Sequence, residues 1–307
     1  MKHKNVVLFF SILLCLQGLT QKQKVWLDAD TGNEMDDLYA IVRLVKDTTV
    51  DLIGLSSAHF NNADLLVFEK WNGYYSKDLN TVAESQRLNE LILKALNSDI
   101  PHPVGADRQV GRAWGQQDAR TSPASAAIIS AIKNLPLNVK LDILTLGALT
   151  NIATAIMIAP EIVPRIRCFS LGAKYGVKTK VWDKSEFNIR NDLNEFDYLL
   201  NLEGFEFIIM PLQTAFPLQF NRDQTYKRLN ENSPVEKILE DRWKEQNPGD
   251  TIRVMWDLAL VEAYLQPRFS KFGIANTPPE NKKRKIKVFT AINKEELYAD
   301  FWNILKQ

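Results

Sequence analysis

The chain has 307 residues, 45% of them hydrophobic and 24% charged, which is enough for a large packed core and far from disordered or collagen-like compositions. Its 38 basic and 37 acidic residues nearly balance. That balance leaves none of the basic excess that tracks a nucleic-acid backbone, and it argues against polymeric DNA or RNA as a partner.

At the amino terminus, Lys2 and Lys4 precede an apolar run over residues 6–16, followed by Gln17, Gly18 and Thr20. Residues 1–20 therefore read as a signal peptide and predict export, to a periplasm or the medium. The run is too short for the roughly 20 apolar residues of a spanning helix, and no other membrane segment is predicted, so no membrane contact is expected after cleavage. Loss of the leader turns 38 basic against 37 acidic residues into 36 against 37, and it removes Cys15, so that Cys168 has no partner in the chain. Lipid attachment at Cys15 is disfavoured, because bulky Leu13 and Leu14 stand where small residues are wanted.

Residues 25–27 form a short apolar run that predicts a strand, residues 28–37 are acidic and turn-rich, and residues 38–46 are apolar at helical spacing, with Leu38, Ile41 and Val45 on one face. A second strand is predicted over 51–57, a mostly helical stretch over 64–96, a turn at 103–106 and a polar stretch over 114–122. Residues 141–146 and 151–158 repeat the strand-then-helix alternation. Further strands are expected at 166–171, 206–210 and 286–290, the last preceded by a basic run at 282–285 that reads as a solvated hairpin or loop. With no Gly/Ser linker, repeat or low-complexity block, the alternation predicts one α/β domain over 21–307 with an open, largely parallel central sheet.

The segment richest in chemistry is Asp28-Ala29-Asp30-Thr31-Gly32-Asn33-Glu34-Met35-Asp36-Asp37, five acids in ten residues at the carboxyl end of a predicted strand, where α/β sheets bind ligands. Crowded carboxylates repel one another unless a cation or hydrogen bonds compensate. Calcium suits an all-oxygen donor set, and no His/Cys cluster is present for zinc. A plainer reading makes residues 30–33 a turn and lets Asp36 and Asp37 cap the next helix, which leaves Asp28, Asp30 and Glu34 without a task. A phosphate cradle does not fit a loop with one glycine. A haloacid-dehalogenase-type phosphatase would need Gly-Thr after Asp30, where this chain has Thr31-Gly32.

The loop resembles the amino-terminal signature of the inosine-uridine-preferring nucleoside hydrolases, Asp-x-Asp-x-Gly-x-Asp-Asp, in a longer form carrying Asn33-Glu34-Met35 before Asp36. Further similarities follow in family order: residues 55–61 ending in Asn61, Pro103-Val104-Gly105-Ala106-Asp107, the stretch from Leu146-Gly147-Ala148 to Ala153, Glu186-Phe187-Asn188, and Trp256-Asp257. The resemblance implies a nucleoside hydrolase-like fold, a mixed but mostly parallel sheet with helices on both faces. It also implies Ca2+ held by Asp30, Asp37, Asp257 and the main-chain carbonyl of Leu146. Asp36 would be the general base on a metal-bound water, and Asn61, Glu186 and Asn188 would bond the ribose hydroxyls. The implied reaction is hydrolysis of a ribonucleoside, a small-molecule substrate, to ribose and base. Relatives commonly form dimers or tetramers, which makes a homo-oligomer an expectation.

Two departures matter. The family's histidine before the late aspartate is Trp256 here, which cannot deliver a proton; it serves either as a stacking wall for the base or as packing beside the metal site. After the leader, His59 and His102 are the remaining histidines, and His59 is the better placed of them. A family asparagine before Glu-Phe-Asn is also missing, Lys180 lying near its place. These departures motivate a second reading, a family-like protein that binds Ca2+ and a nucleoside or sugar without turnover.

Overall fold

The structure is a computed structural model that describes residues 22–61, 80–111, 117–246 and 248–307. Strand β1 (Gln23–Ala29) is buried from Val25 onward, as a strand covered on both faces must be. Its partners and successors are β2 (Val50–Ser57), β3 (Leu141–Thr145), β4 (Ile166–Leu171), the short hairpin β5 (Lys174–Tyr175) and β6 (Trp182–Asp183), β7 (Glu206–Met210), a second small ribbon of β8 (Gln219–Asn221) and β9 (Ile252–Val254), β10 (Ser270–Asn276) and β11 (Lys285–Ile292). The helices are α1 (Asp36–Val45), α2 (Thr81–Ala95), α3 (Pro123–Asn134), α4 (Thr150–Ile158), α5 (Phe187–Asn191), α6 (Leu193–Asn201), α7 (Leu212–Ala215), α8 (Arg222–Arg228), α9 (Pro234–Gln246), α10 (Trp256–Leu265) and α11 (Lys294–Leu305).

Seven strands form one sheet in the order β10-β11-β7-β4-β3-β1-β2. All neighbours are parallel except the edge strand β10, antiparallel to β11, so the sheet is mixed as expected. Side-chain alternation sends Val25, Leu27 and Ala29 to the face covered by α1, α9, α10 and α11. Trp26, Ile143 and Cys168 point to the other face, covered by α3, α4 and α6. The helices thus lie on both faces, and the order of alternating strands and helices builds one α/β fold.

Helix α1 starts two residues earlier than its apolar pattern, so Asp36 and Asp37 are its first helical residues rather than a cap; neither the N-cap Met35 nor any side chain caps it. At its far end the fully buried Arg43 bonds Glu262 of α10 at 2.9 Å, Asp47 at 2.7 Å and Asp300 of α11 at 2.6 Å. This cluster fixes α1 against α10, and that packing sets the site. The edge strand β10 and helices α3, α6, α9 and α11 were not predicted. Of the basic run, Lys282, Lys283 and Lys285 are exposed as expected, whereas Arg284 turns inward. It donates to the carbonyls of Leu199, Leu202 and Phe205, at and beyond the end of α6, so that residue is structural rather than solvated. The predicted signal peptide, residues 64–79 of the expected helical stretch and Trp114 lie outside the described residues. Among the described residues, no helix is long and apolar enough to cross a membrane.

Candidate active site

The chain leaves β1 for β2 on one side and places β3 on the other, so the β1/β3 pair is the point where strand order reverses and a crevice opens at the carboxyl ends. A cavity of about 190 Å³ lies there. Asp30, Asn33 and Glu34 come to it from the loop after β1, Leu146 from the residue after β3, Leu171 from the end of β4 and Leu212 from the first residue of α7. Glu186, Phe187 and Asn188 arrive at the start of α5, and Trp256 and Asp257 open α10. Asp30, Leu146, Glu186, Asn188, Trp256 and Asp257 thus share one cavity, although more than 200 residues separate the first from the last.

Asp36 and Asp37 lie beneath this cavity, because α1 and α10 pack side by side with their first turns together. The Asp36 carboxylate accepts the Asp257 backbone N–H at 2.9 Å, satisfying one of the orphan donors of the neighbouring helix rather than of its own. Burial drives the carboxyls of Asp30, Asp37 and Asp257 well above the usual range. For Asp257 the charges of Asp37, Asp36 and Asp30 push the same way, and for Asp30 those of Asp37, Glu34 and Glu186 do so. Asp36 is also raised by burial, opposed by the Asp257 N–H and by Arg253. Asp30, Asp36, Asp37 and Asp257 each leave one buried carboxylate oxygen without a hydrogen-bond partner. Such groups are costly unless something else binds them.

Among the described residues, no three His, Cys, Asp or Glu side chains already close into a shell that could hold an ion. The fit of a metal is therefore chemical rather than geometric: the orphaned donors are all oxygen, clustered and anionic, which suits a hard divalent cation. Two local features serve that cluster. A Cβ on Gly147 would stand 2.6 Å from Asp30 Cγ, so only glycine lets the carboxylate lie against this turn. The Leu146 carbonyl accepts from Asn188 Nδ2 at 2.5 Å and retains a second lone pair.

Glu186 is the N-cap of α5: one carboxylate oxygen accepts Asn188 N at 3.0 Å, the other Ile189 N at 3.1 Å and Ala173 N at 3.2 Å. Burial raises its pKa against these bonds. Ala173, just past β4, adopts a left-handed backbone (φ 59°) that non-glycine residues seldom occupy, and its N–H reaches Glu186. Trp256 is half-buried and lines the cavity, and the Phe216 ring packs 6.0 Å from its indole without lining the cavity itself.

Asn61 does not line the cavity; its amide donates to the Asp107 carbonyl at 3.0 Å. Neither alternative reading, a proton-donating His59 or Asp36 and Asp37 as caps of their own helix, is supported. His59 is buried with Nε2 2.7 Å from Thr150 Oγ1, and burial holds its pKa down to about 4, so it stands as a neutral packing residue away from the cavity. The helix-cap reading of Asp36 and Asp37 fails for their own helix. Leu171 and Leu212 lie outside every motif read from the sequence, Asn33 and Phe187 lie inside such motifs without an assigned role, and Glu34 is held in the cavity wall by an ion pair to Arg253 of β9. Leu171 closes a predicted strand and Leu212 comes just after one, a position that marks them as ligand-facing in this architecture.

Behind the site, buried Asp28 accepts from Ser56 Oγ and from Asn151 Nδ2 (2.9 Å), and burial pushes it up to about 7. Asn151 also donates to Ser57 O and accepts Ala106 N. A Cβ on Gly105 would fall 1.8 Å from Ser57 O, which is why the 103–106 turn has glycine there. The resembling motifs around residues 55–57, 103–107 and 146–153 are thus one packed hub under the strand-order switch.

The family model for inosine-uridine preferring nucleoside hydrolase matches residues 25–299. The pyrimidine-specific ribonucleoside hydrolase RihB of Escherichia coli (strain SE11) is 27% identical over 261 residues, which cover 84% of this chain and 75% of that protein. Among solved structures, the inosine-guanosine nucleoside hydrolase aligns with a TM-score of 0.70 at 14% identity over 92% of this chain and 98% of that one. The inosine-uridine preferring nucleoside hydrolase from Bacillus anthracis aligns with a TM-score of 0.67 at 14% identity, over 92% and 99%. At such identities the structures speak for the fold, and the match spanning nearly all of the described chain speaks for the family. This chain belongs to the inosine-uridine preferring nucleoside hydrolase family, hydrolases that act on the N-glycosidic bond of ribonucleosides.

Proposed function

We propose that the chain is an exported, calcium-dependent ribonucleoside N-ribohydrolase in which Asp36 is the general base. The observation that carries this reading is the set of unpartnered carboxylate oxygens on Asp30, Asp36, Asp37 and Asp257 gathered under a cavity walled by Leu146, Glu186 and Asn188. Asp30, Asp37, Asp257 and the Leu146 carbonyl would hold the ion, whose part is to fix a water and the ribose hydroxyls. Calcium acidifies water weakly, so a carboxylate within reach must take the proton, and Asp36 has one free oxygen for it. Glu186 and Asn188 orient the sugar, and the surrounding anions favour the oxocarbenium-like charge that develops at the anomeric carbon.

Asp36→Ala should abolish release of free base from uridine, cytidine and inosine while the circular dichroism spectrum stays native. Unchanged ribose release by that variant refutes the base assignment. Binding without turnover is favoured by one observation, Trp256 where a proton-delivering histidine would stand. A nucleoside panel assayed for reducing sugar with calcium and with chelator separates the two readings.

A further inference from the structure

Breaking an N-glycosidic bond sends its electron pair to the base nitrogen. A neutral base leaves as an anion and needs a proton or strong hydrogen-bond donors, whereas a base that is already cationic leaves neutral and needs neither. The described cavity wall is poor in the first kind of help. Its ionisable side chains are the carboxylates of Asp30, Glu34, Glu186 and Asp257, and among the described residues it has no Lys, Arg, His or Tyr. His59 is committed to Thr150, and His102 bonds the Ile100 carbonyl at 2.8 Å, away from the cavity. In the histidine's place stands Trp256, its indole beside Phe216. An aromatic face attracts a flat organic cation through its ring quadrupole, and Trp256 presents such a face to the cavity.

We propose, resting on the hydrolase reading above, that the preferred substrates are ribosides of cationic nitrogen heterocycles, N-ribosylpyridinium or N7-alkylpurine ribosides, with Trp256 as the wall that binds the cationic ring. The step balances without an acid. The C1′–N bond breaks with its pair returning to the ring nitrogen, which neutralises the heterocycle. The water oxygen bonds C1′ and gives one proton to Asp36. The products are ribose, neutral base and one proton.

The test uses the full mature chain with calcium and measures kcat and KM for N-ribosylnicotinamide, uridine and inosine. It also measures the inhibition constant of N-ribosyl-dihydronicotinamide, which has nearly the same shape without the charge. The expected kcat/KM for the cation exceeds both neutral nucleosides by at least about 100-fold. The reduced analogue should bind at least about tenfold more weakly than the cation, a margin of the size of a cation–aromatic contact. Trp256→Leu should erase that charge preference, and Trp256→Phe should retain most of it. Uridine or inosine cleaved as efficiently as the cation overturns the proposal, as does equal binding of the charged and uncharged pyridines. Cleavage of neutral nucleosides alone overturns this inference and leaves the hydrolase reading standing. Failure to cleave either class, with calcium binding intact by calorimetry, overturns both.

Discussion

Replacing Asp37 by Asn should move stability in opposite directions with and without calcium. Asp37 is buried, has one unpartnered oxygen and is pressed by the charge of Asp36 and, less, of Glu34. With an effective dielectric constant near 20, each unit charge about 5 Å away costs roughly 3 kcal/mol. Removing one member of the cluster should therefore stabilise the chelated protein by on the order of 1–3 kcal/mol. The wild type, in contrast, should gain about 2.7 kcal/mol from calcium at a hundred times its dissociation constant. For a chain of this length that is a rise in Tm of about 5 °C. Thermal unfolding in EDTA and in CaCl2 is the assay: Asp37→Asn should melt above wild type in EDTA and show no calcium shift. The pH dependence has a definite sign. Carboxyls held above their ordinary value by burial and mutual repulsion contribute stability that is complete below the usual carboxylate pKa near 3.8 and is lost as pH rises through their folded values. The chelated wild type should thus weaken from acid toward neutral pH, and calcium should remove that trend. A chelated Asp37→Asn that melts below wild type, or calcium raising both proteins equally, refutes the reasoning.

Gly147→Ala places a methyl 2.6 Å from Asp30 Cγ; calorimetry should show calcium affinity down at least about tenfold with the fold retained. Arg43→Met strands Glu262 in the α1/α10 interface and should cost about 3–5 kcal/mol in urea unfolding, with Arg43→Met/Glu262→Gln recovering a large part of it. His59 is held down to about 4 against an ordinary 6.5. A depressed histidine contributes stability that is fully present above 6.5 and lost as pH falls toward 4, about 3 kcal/mol in all, so denaturant midpoints of His59→Gln should be flatter than wild type across that window.

The acidic loop was legible because its cause is local. A short apolar strand followed by Asp28, Asp30, Glu34, Asp36 and Asp37 can be read from residue types alone, and the α/β alternation says that such a loop faces ligand. Asp257 is a different case. Nothing in its neighbourhood marks it, and it joins Asp30 only because Arg43 and Glu262 hold α1 beside α10, a contact 219 residues apart in sequence; the family resemblance, not local physics, pointed to it. Helices α6 and α9 went unread because polar side chains interrupt their apolar stripes, and β10 because Gly273 and an exposed edge weaken its alternation. Arg284 was misread for a similar reason. Its sequence neighbours are solvated lysines, and what draws it inward is a row of carbonyls around the end of α6.

The convergence of two helix starts on one acid cluster raises the question whether the helices alone could stabilise it. The first turns of α1 and α10 lie together, and the Asp36 carboxylate accepts the Asp257 N–H of α10 directly. A helix terminus is worth about 0.3–1 kcal/mol to a nearby anion, up to about 2 kcal/mol when partly buried. Two unit charges about 4 Å apart repel by roughly 4 kcal/mol at an effective dielectric constant of 20, and four carboxylates make several such pairs. Two helix dipoles therefore offset at most one pair. The remaining repulsion has two outlets, protonation of the carboxyls or a divalent cation among them. Enzymes of this family work on neutral sugars whose reaction centre turns positive, and protonated carboxyls would neither favour that charge nor accept the proton of the attacking water. On the proposed calcium-dependent reading the cation serves chemistry as well as stability, and proton release on calcium binding, larger at acidic than at alkaline pH, is the measurement that ties the two together.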